Sequence, residues 1–154
     1  HLKHMEKVLL AAAHHKGTAF VEIYQNCVIF NDACFEGFAE KTVRDDQTID
    51  LRPGEPMVFG KTLDKGIKIV GWEPKVVPAA EADVWRSDTH SPGPAFVMSQ
   101  LHLDPAMPRP IGIVRDVQAP IFEAAVHEQL RAAKAKRGEG TLKELIYSGE
   151  TWTV

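Results

Sequence analysis

The side chains able to do chemistry in this chain are few, and they crowd toward its beginning. Four of its seven histidines, His1, His4, His14 and His15, lie within the first fifteen residues. His1 and His4 are three apart, a spacing that sets two imidazoles on one helix face. A metal needs a third ligand and supporting hydrogen bonds, and the spacing supplies neither. A solvated helix end is the plainer reading, with His14 and His15 favourable beside the helix's C-terminal dipole. His90, His102 and His127 stand singly and carry no assigned role. The two cysteines are Cys27 and Cys34. Cys34 lies close to Phe35 and Phe38 and reads as a small buried hydrophobe. Cys27 falls just past the carboxyl end of an apolar run, where open α/β sheets build their sites. A disulfide between the two is conceivable, but so low a cysteine content fits a reducing, cytoplasmic compartment. No histidine or aspartate is placed by sequence to activate Cys27 as a nucleophile. Glu22 sits in the middle of that apolar run, where a carboxylate needs a partner or a raised pKa.

The elements that must position these residues follow from periodicity. Leu2, Met5, Leu9 and Ala12 recur at helical spacing, and Gly17 ends that helix. Thr18 to Tyr24 is nearly continuous in apolar residues, as in a strand covered on both faces. Helix and strand together make half of an αβ unit, which belongs to a parallel sheet of several strands. A short helix is expected over about Ala33 to Lys41, capped by Asn31 or Asp32. Thr48 to Leu51 reads as a strand in a charged stretch. Met57-Val58-Phe59 and Ile67 to Val70 flank Asp64-Lys65-Gly66 as a hairpin, and Lys75 to Val77 adds a short strand. Pro74 to Pro94 is expected to be a long surface loop. A helix over about Ala95 to His102, a strand at Ile111 to Val114 and a long helix opened by Pro120 follow. Ile121, Phe122, Ala125, Val126 and Leu130 form the apolar stripe of that helix. Thr141 and Glu144 then make a capping box for a last short helix.

Composition narrows the classes. The chain has 154 residues, 44% apolar, with 18 basic against 21 acidic side chains and a net charge of −3. That balance argues against nucleic acid as a partner, and a charge run such as Lys134 to Arg137 reads as a solvated face. Lys65 and Lys68 on the hairpin are able to touch an acidic partner. No apolar run approaches the roughly 18 residues of a membrane span. Glycine-rich nucleotide loops, nucleophile elbows, His-Glu-x-x-His and Cys-x-x-Cys are all missing from the sequence. The chain opens at His1 with a helix already under way, so trimming or membership of something longer is expected.

One stretch is specific. His15-Lys16-Gly17-Thr18-Ala19-Phe20-Val21-Glu22-Ile23-Tyr24-Gln25-Asn26-Cys27-Val28-Ile29-Phe30-Asn31-Asp32 closely resembles the Lys-Gly-x-x-Phe-Val-Glu-Ile-Tyr-Gln-Asn-Cys-x-Ile-Phe-Asn-Asp segment of the β subunits of 2-oxoglutarate:ferredoxin oxidoreductases. These belong to the thiamine-diphosphate-dependent 2-oxoacid:ferredoxin oxidoreductases. The resemblance continues in patches through Val58-Phe59-Gly60-Lys61, Lys65-Gly66-Ile67, Pro94-Ala95-Phe96, Pro110 to Arg115 and Ser148 to Val154.

That resemblance implies a C-terminal part of the β subunit. Residues 1–32 would be the last helix and strand of the thiamine-diphosphate-binding fold with a cluster-ligand loop. Residues 33–154 would be a mixed α+β, loop-rich extension. Cys27 matches the cysteine that gives the family's [4Fe–4S] cluster its fourth ligand. The other three ligands, thiamine diphosphate and Mg²⁺ would belong to the upstream half, leaving this fragment inactive and without a cofactor when alone. Cys34 departs from the family's Gly-Ala-Phe pattern and receives no ligand role. The implied activity is decarboxylation of a 2-oxoacid to acyl-coenzyme A with electrons passed to ferredoxin. The implied partners are an α subunit, ferredoxin and further subunits of a cytoplasmic oligomer. Two other readings stand beside this one: a stand-alone, non-catalytic interaction module derived from that subunit, and a redox protein using Cys27 with Cys34.

Overall fold

A computed structural model of the chain describes residues 2–152. They divide into two compact units, one built from residues up to 15 together with 19–118, the other from 16–18 and 119 onward.

The larger unit begins with helix α1 (Leu2–His14). Its inward side is His4, Val8, Ala11, Ala12 and His15, all partly buried, while Leu2, Met5, Leu9 and Leu10 face solvent. Of the apolar positions read from the sequence, Leu2, Met5 and Leu9 are therefore on the outer face and Ala12 on the inner one. Polar contacts hold the inner face at both ends. His4 Nε2 lies 3.0 Å from Asp50 Oδ1, and His15 Nδ1 lies 2.9 Å from Asp116 Oδ1.

Two short helical turns, α2 (Glu36–Ala39) and α3 (Arg44–Gln47), lead into strand β1 (Thr48–Leu51). Neither Asn31 nor Asp32 caps α2, which starts after Phe35 without a side-chain cap. The Asp32 carboxylate is already committed to the Ala33 amide at 2.9 Å.

Strand β2 (Val58–Phe59) pairs antiparallel with β3 (Lys65–Val70), which pairs antiparallel with β4 (Glu73–Pro78). The expected hairpin is present, with its turn before Lys65 instead of at Asp64-Lys65-Gly66. A Cβ on Gly66 would lie 2.5 Å from Ala82 Cβ, so only glycine lets the 79–83 segment lie against β3. Pro74 and Pro78 stand on the outer strand of this sheet.

The expected surface loop from Pro74 to Pro94 is instead half built into the core. It contains most of β4, a 3₁₀ turn at Ala79–Glu81 and an extended piece in which Val84 and Arg86 are exposed while Trp85 and Ser87 are buried. Trp85 exchanges backbone hydrogen bonds with Gly54 and Glu55, and its indole Nε1 donates to the Ile113 carbonyl at 2.8 Å. Proline and alanine content suggested a loop, but one large aromatic with a satisfied N–H outweighs that local signal.

Helix α4 (Gly93–Gln100) continues into a 3₁₀ turn at Leu101–Leu103. Strand β5 (Arg109–Gly112) then pairs in parallel with β1, Thr48 opposite Arg109 through Leu51 opposite Gly112. It begins two residues earlier than the sequence suggests and ends at Gly112, whose φ of +93° leaves the extended region. Ile49, Leu51, Met57, Phe59, Ile67, Trp85, Val97, Met98 and Leu101 make the core. It is a mixed α and β unit, as expected.

The smaller unit carries helix α5 (Phe122–Arg137) and helix α6 (Leu142–Ile146). The capping box is present: the Thr141 hydroxyl accepts from the Glu144 amide at 3.2 Å, and the Glu144 carboxylate accepts from the Thr141 amide at 2.8 Å. Phe122 and Leu130 of the expected stripe are exposed, and Val126 is half-buried.

Candidate functional site

Cys27 lies on a tight turn whose shape is fixed by its neighbours. The Asn31 amide donates to the Cys27 carbonyl at 3.0 Å, closing the turn over Val28, Ile29 and Phe30. Asn26 ties the base. Its Nδ2 donates to Asp32 Oδ1 at 2.8 Å, and its Oδ1 accepts from the Ala33 amide at 3.0 Å. Ala33 has a φ of +60°, the left-handed conformation that reverses the chain toward α2. The Asn and Asp types are therefore structural requirements here: an amide that donates and accepts at once, and a carboxylate that accepts twice.

The turn stands on an aromatic triad. Tyr24, Phe35 and Phe38 meet edge to face, with centroids 5.3, 5.2 and 5.7 Å apart. The Arg109 guanidinium lies 5.8 Å from the Phe38 ring centre, linking the triad to the start of β5. Cys27 itself is a free, exposed thiol, and the three residues at the tip are exposed with it.

Several expectations change here. Cys34 is exposed and free, not a buried hydrophobe, because α2 is one turn long and covers little. Glu22 is exposed rather than buried. Residues 18–26 form no ladder with another strand among the described residues, so Phe20, Val21 and Ile23 lie open. A two-sided apolar strand needs neighbours on both edges and cover on both faces, and the described residues supply neither to them.

His4 and His15 contact carboxylates as described, His102 Nδ1 lies 2.8 Å from the Ser99 carbonyl oxygen, and His1 falls outside the described residues. Among the described residues no group of three His, Cys, Asp or Glu side chains could hold a metal ion. Cys27 is a soft donor, and it builds no centre with other His, Cys, Asp or Glu side chains among the described residues.

Three features escaped the sequence reading. Asp50 is a hub: its Oδ1 faces His4, and its Oδ2 accepts from Arg52 Nε at 2.6 Å. That bond keeps the Arg52 guanidinium protonated even more firmly than usual. Arg115 donates to the carbonyls of Thr89, His90 and Ser91, pinning the loop before α4. A cleft of about 460 Å³ also opens between the β3–β4 turn and α4, walled by Trp72, Pro74, Phe96, Leu103 and Met107 and edged by Lys75 and Asp104.

Comparison with known proteins aligns the chain with a subunit of an oxidoreductase. One relative is the 2-oxoglutarate oxidoreductase subunit KorB of Mycobacterium tuberculosis, 34% identical over 160 aligned residues that include 97% of this chain. The chain is thus similar over nearly its whole length to part of a 2-oxoglutarate oxidoreductase subunit. It spans 42% of the length of that relative. No protein-family model matches the chain, and no solved structure matches it.

Proposed function

We propose that the chain is the C-terminal portion of the β subunit of a thiamine-diphosphate-dependent 2-oxoacid:ferredoxin oxidoreductase acting on 2-oxoglutarate, and that Cys27 is one thiolate ligand of its [4Fe–4S] cluster. The observation that carries this reading is the match along nearly the whole chain to part of a 2-oxoglutarate oxidoreductase subunit.

The donor chemistry fits one corner of such a cluster. Cys27 is a soft ligand, exposed on a turn that hydrogen bonds hold from both sides. Asn26 and Asp32 fix the base of the turn, so the backbone that carries the thiol is formed before any ligand arrives. Val28, Ile29 and Phe30 flank it with apolar surface that would exclude water once covered, a factor that tunes cluster potential. When bound, the cluster supplies one-electron transfer toward ferredoxin. The remaining thiolates, thiamine diphosphate and Mg²⁺ fall to the rest of the subunit, where the 2-oxoacid would be decarboxylated to its acyl-coenzyme A. Residues 1–32 are then the last helix and strand of the thiamine-diphosphate-binding domain, with 33–154 as the extension that meets other subunits, the α subunit among them. The open apolar side chains of Phe20, Val21 and Ile23 support that placement, since they suit a strand inside a sheet. Among the described residues no helix is long and apolar enough to cross a membrane, in keeping with a cytoplasmic enzyme.

The test uses the full-length subunit with Cys27→Ser. Iron content and the electron paramagnetic resonance signal of the reduced cluster are expected to fall, while thiamine diphosphate binding persists. An unchanged iron content and signal would overturn the ligand assignment. Failure of the full-length subunit to bind thiamine diphosphate would overturn the family function.

A further inference from the structure

We propose that the open face of the β3–β4 hairpin, with the cleft beside it, is a docking surface for an acidic protein segment that also presents an apolar side chain.

The first observation is electrostatic. Lys68 on β3 and Lys75 on β4 are direct cross-strand partners, and both are exposed. Like charges placed opposite one another in a sheet destabilise it. Among the described residues the one ion pair that touches them joins Lys75 to Glu73, at a long 3.9 Å. The two-residue strand period sets Val70, 50% exposed, on the same face as the lysines. A carboxylate from outside, placed between two ammonium groups, would convert repulsion into two attractions.

The second observation is apolar. Trp72, at the turn between the strands, is 71% exposed, yet it fits closely above Gly93 of α4: a Cβ at that glycine would lie 3.1 Å from its ring. Held there, the indole forms one wall of the cleft whose other walls are Phe96 and Leu103, both largely exposed. Lys75 edges this same cleft, so the charged and apolar features are one continuous surface. Tryptophan is enriched among the side chains that anchor protein interfaces.

The partner's chemistry follows. Discrete carboxylates suit the lysine pair, and an aliphatic side chain suits the cleft. Glu73 and Asp104 line the cleft too, so the partner's acidic groups belong over Lys68 and Lys75 and its apolar side chain over the cleft. The chain's net charge of −3 favours a protein segment with a few discrete carboxylates over nucleic acid.

The experiment uses the 154-residue chain and a fluorescent Glu-Asp-Leu-Glu-Asp peptide as the probe, followed by anisotropy at low and at moderate salt. Saturable binding that weakens with salt is expected. Lys68→Glu is expected to weaken binding about tenfold or more while raising the melting temperature, because the cross-strand pair becomes attractive. Trp72→Ala should weaken binding with little change in the salt dependence, and the paired charge reversals Lys134→Glu and Lys136→Glu should leave it unchanged. Absence of peptide binding would overturn the proposal, as would binding indifferent to Lys68→Glu. Tighter Lys68-dependent binding of an oligothymidine or of phosphatidylserine vesicles would replace the protein partner with an anionic polymer or surface.

Discussion

Replacing Gly112 by alanine tests the joint between the two parallel strands most severely. Gly112 has a φ of +93°, where an L side chain costs roughly 1–2 kcal/mol. Its Cβ would also lie 2.6 Å from Asp50 Oδ1, 2.7 Å from the Leu51 carbonyl oxygen and 3.0 Å from the Leu51 amide nitrogen. The carboxylate could rotate away, at the expense of its contacts with His4 and Arg52. The Leu51 backbone cannot, because its side chain is 1% exposed in the core. Relief requires the strands to part, straining the bond from the Ile113 amide to the Leu51 carbonyl and, one atom group further, the Trp85 indole bond to the Ile113 carbonyl. Overpacking of this kind costs about 1–3 kcal/mol. A strained hydrogen bond adds about 1 kcal/mol. The expected loss is therefore roughly 3–6 kcal/mol, at the upper end for single substitutions. Guanidinium unfolding followed by tryptophan fluorescence reads it directly, since Trp85 is buried beside the joint while Trp72 and Trp152 are already exposed. Gly54→Ala is the control: its φ of +81° carries similar strain, with nothing within 4 Å of the new methyl group. Equal losses for Gly112→Ala and Gly54→Ala would refute the steric argument and leave backbone strain alone.

Two further expectations concern single groups. Trp85→Phe keeps most of the buried ring but leaves the Ile113 carbonyl without its indole donor, and should cost about 1–3 kcal/mol in the same assay; a loss within error of zero would mean that carbonyl finds another donor. At the β2–β3 turn the Thr62 hydroxyl donates to Asp64 Oδ1 at 2.7 Å, and with the Asp64 amide and Lys65 it holds that carboxyl below its usual range. The stability this contributes is present above the ordinary carboxylate pKa and is lost as the pH falls through the depressed one. Thr62→Val should therefore move the Asp64 titration midpoint upward in a carboxyl-detected NMR experiment. An unmoved midpoint would assign the depression to the backbone and Lys65 instead.

Elements defined by their own ends were legible before any coordinates. The capping box at Thr141, the proline-opened α5 and the β2–β3 hairpin carry their instructions within a few residues, and each is present. The misreadings share a different cause. Thr18 to Tyr24 has the composition of a strand, but a strand exists only where another chain segment accepts its hydrogen bonds, and periodicity is silent on that. Trp85 was passed over because its neighbours Pro78, Ala79, Ala80 and Ser87 are loop-like, whereas its burial depends on Gly54, Glu55 and Ile113 far away in sequence. The spacing of α1 gave its helix but not the face it packs by, since the anchors are two histidines whose acidic partners lie 46 and 101 residues on. Around Cys27 the position of the thiol was legible, and the roles of Asn26 and Asp32 as its scaffold were not.

The prolines of β4 set a limit on how this hairpin can meet other molecules. The Ala79 amide points inward to the Asp64 carbonyl, so by alternation the residues at 74, 76 and 78 present their backbone nitrogens to the free edge. Two of those three are proline and have no hydrogen to give. Val76 alone offers an outward main-chain donor, so a second polypeptide cannot zip onto this edge as an added strand. Any association here has to be made by side chains, which salt and single substitutions can adjust and reverse. The hairpin can therefore meet a partner transiently without the risk of growing, strand upon strand, into an aggregate.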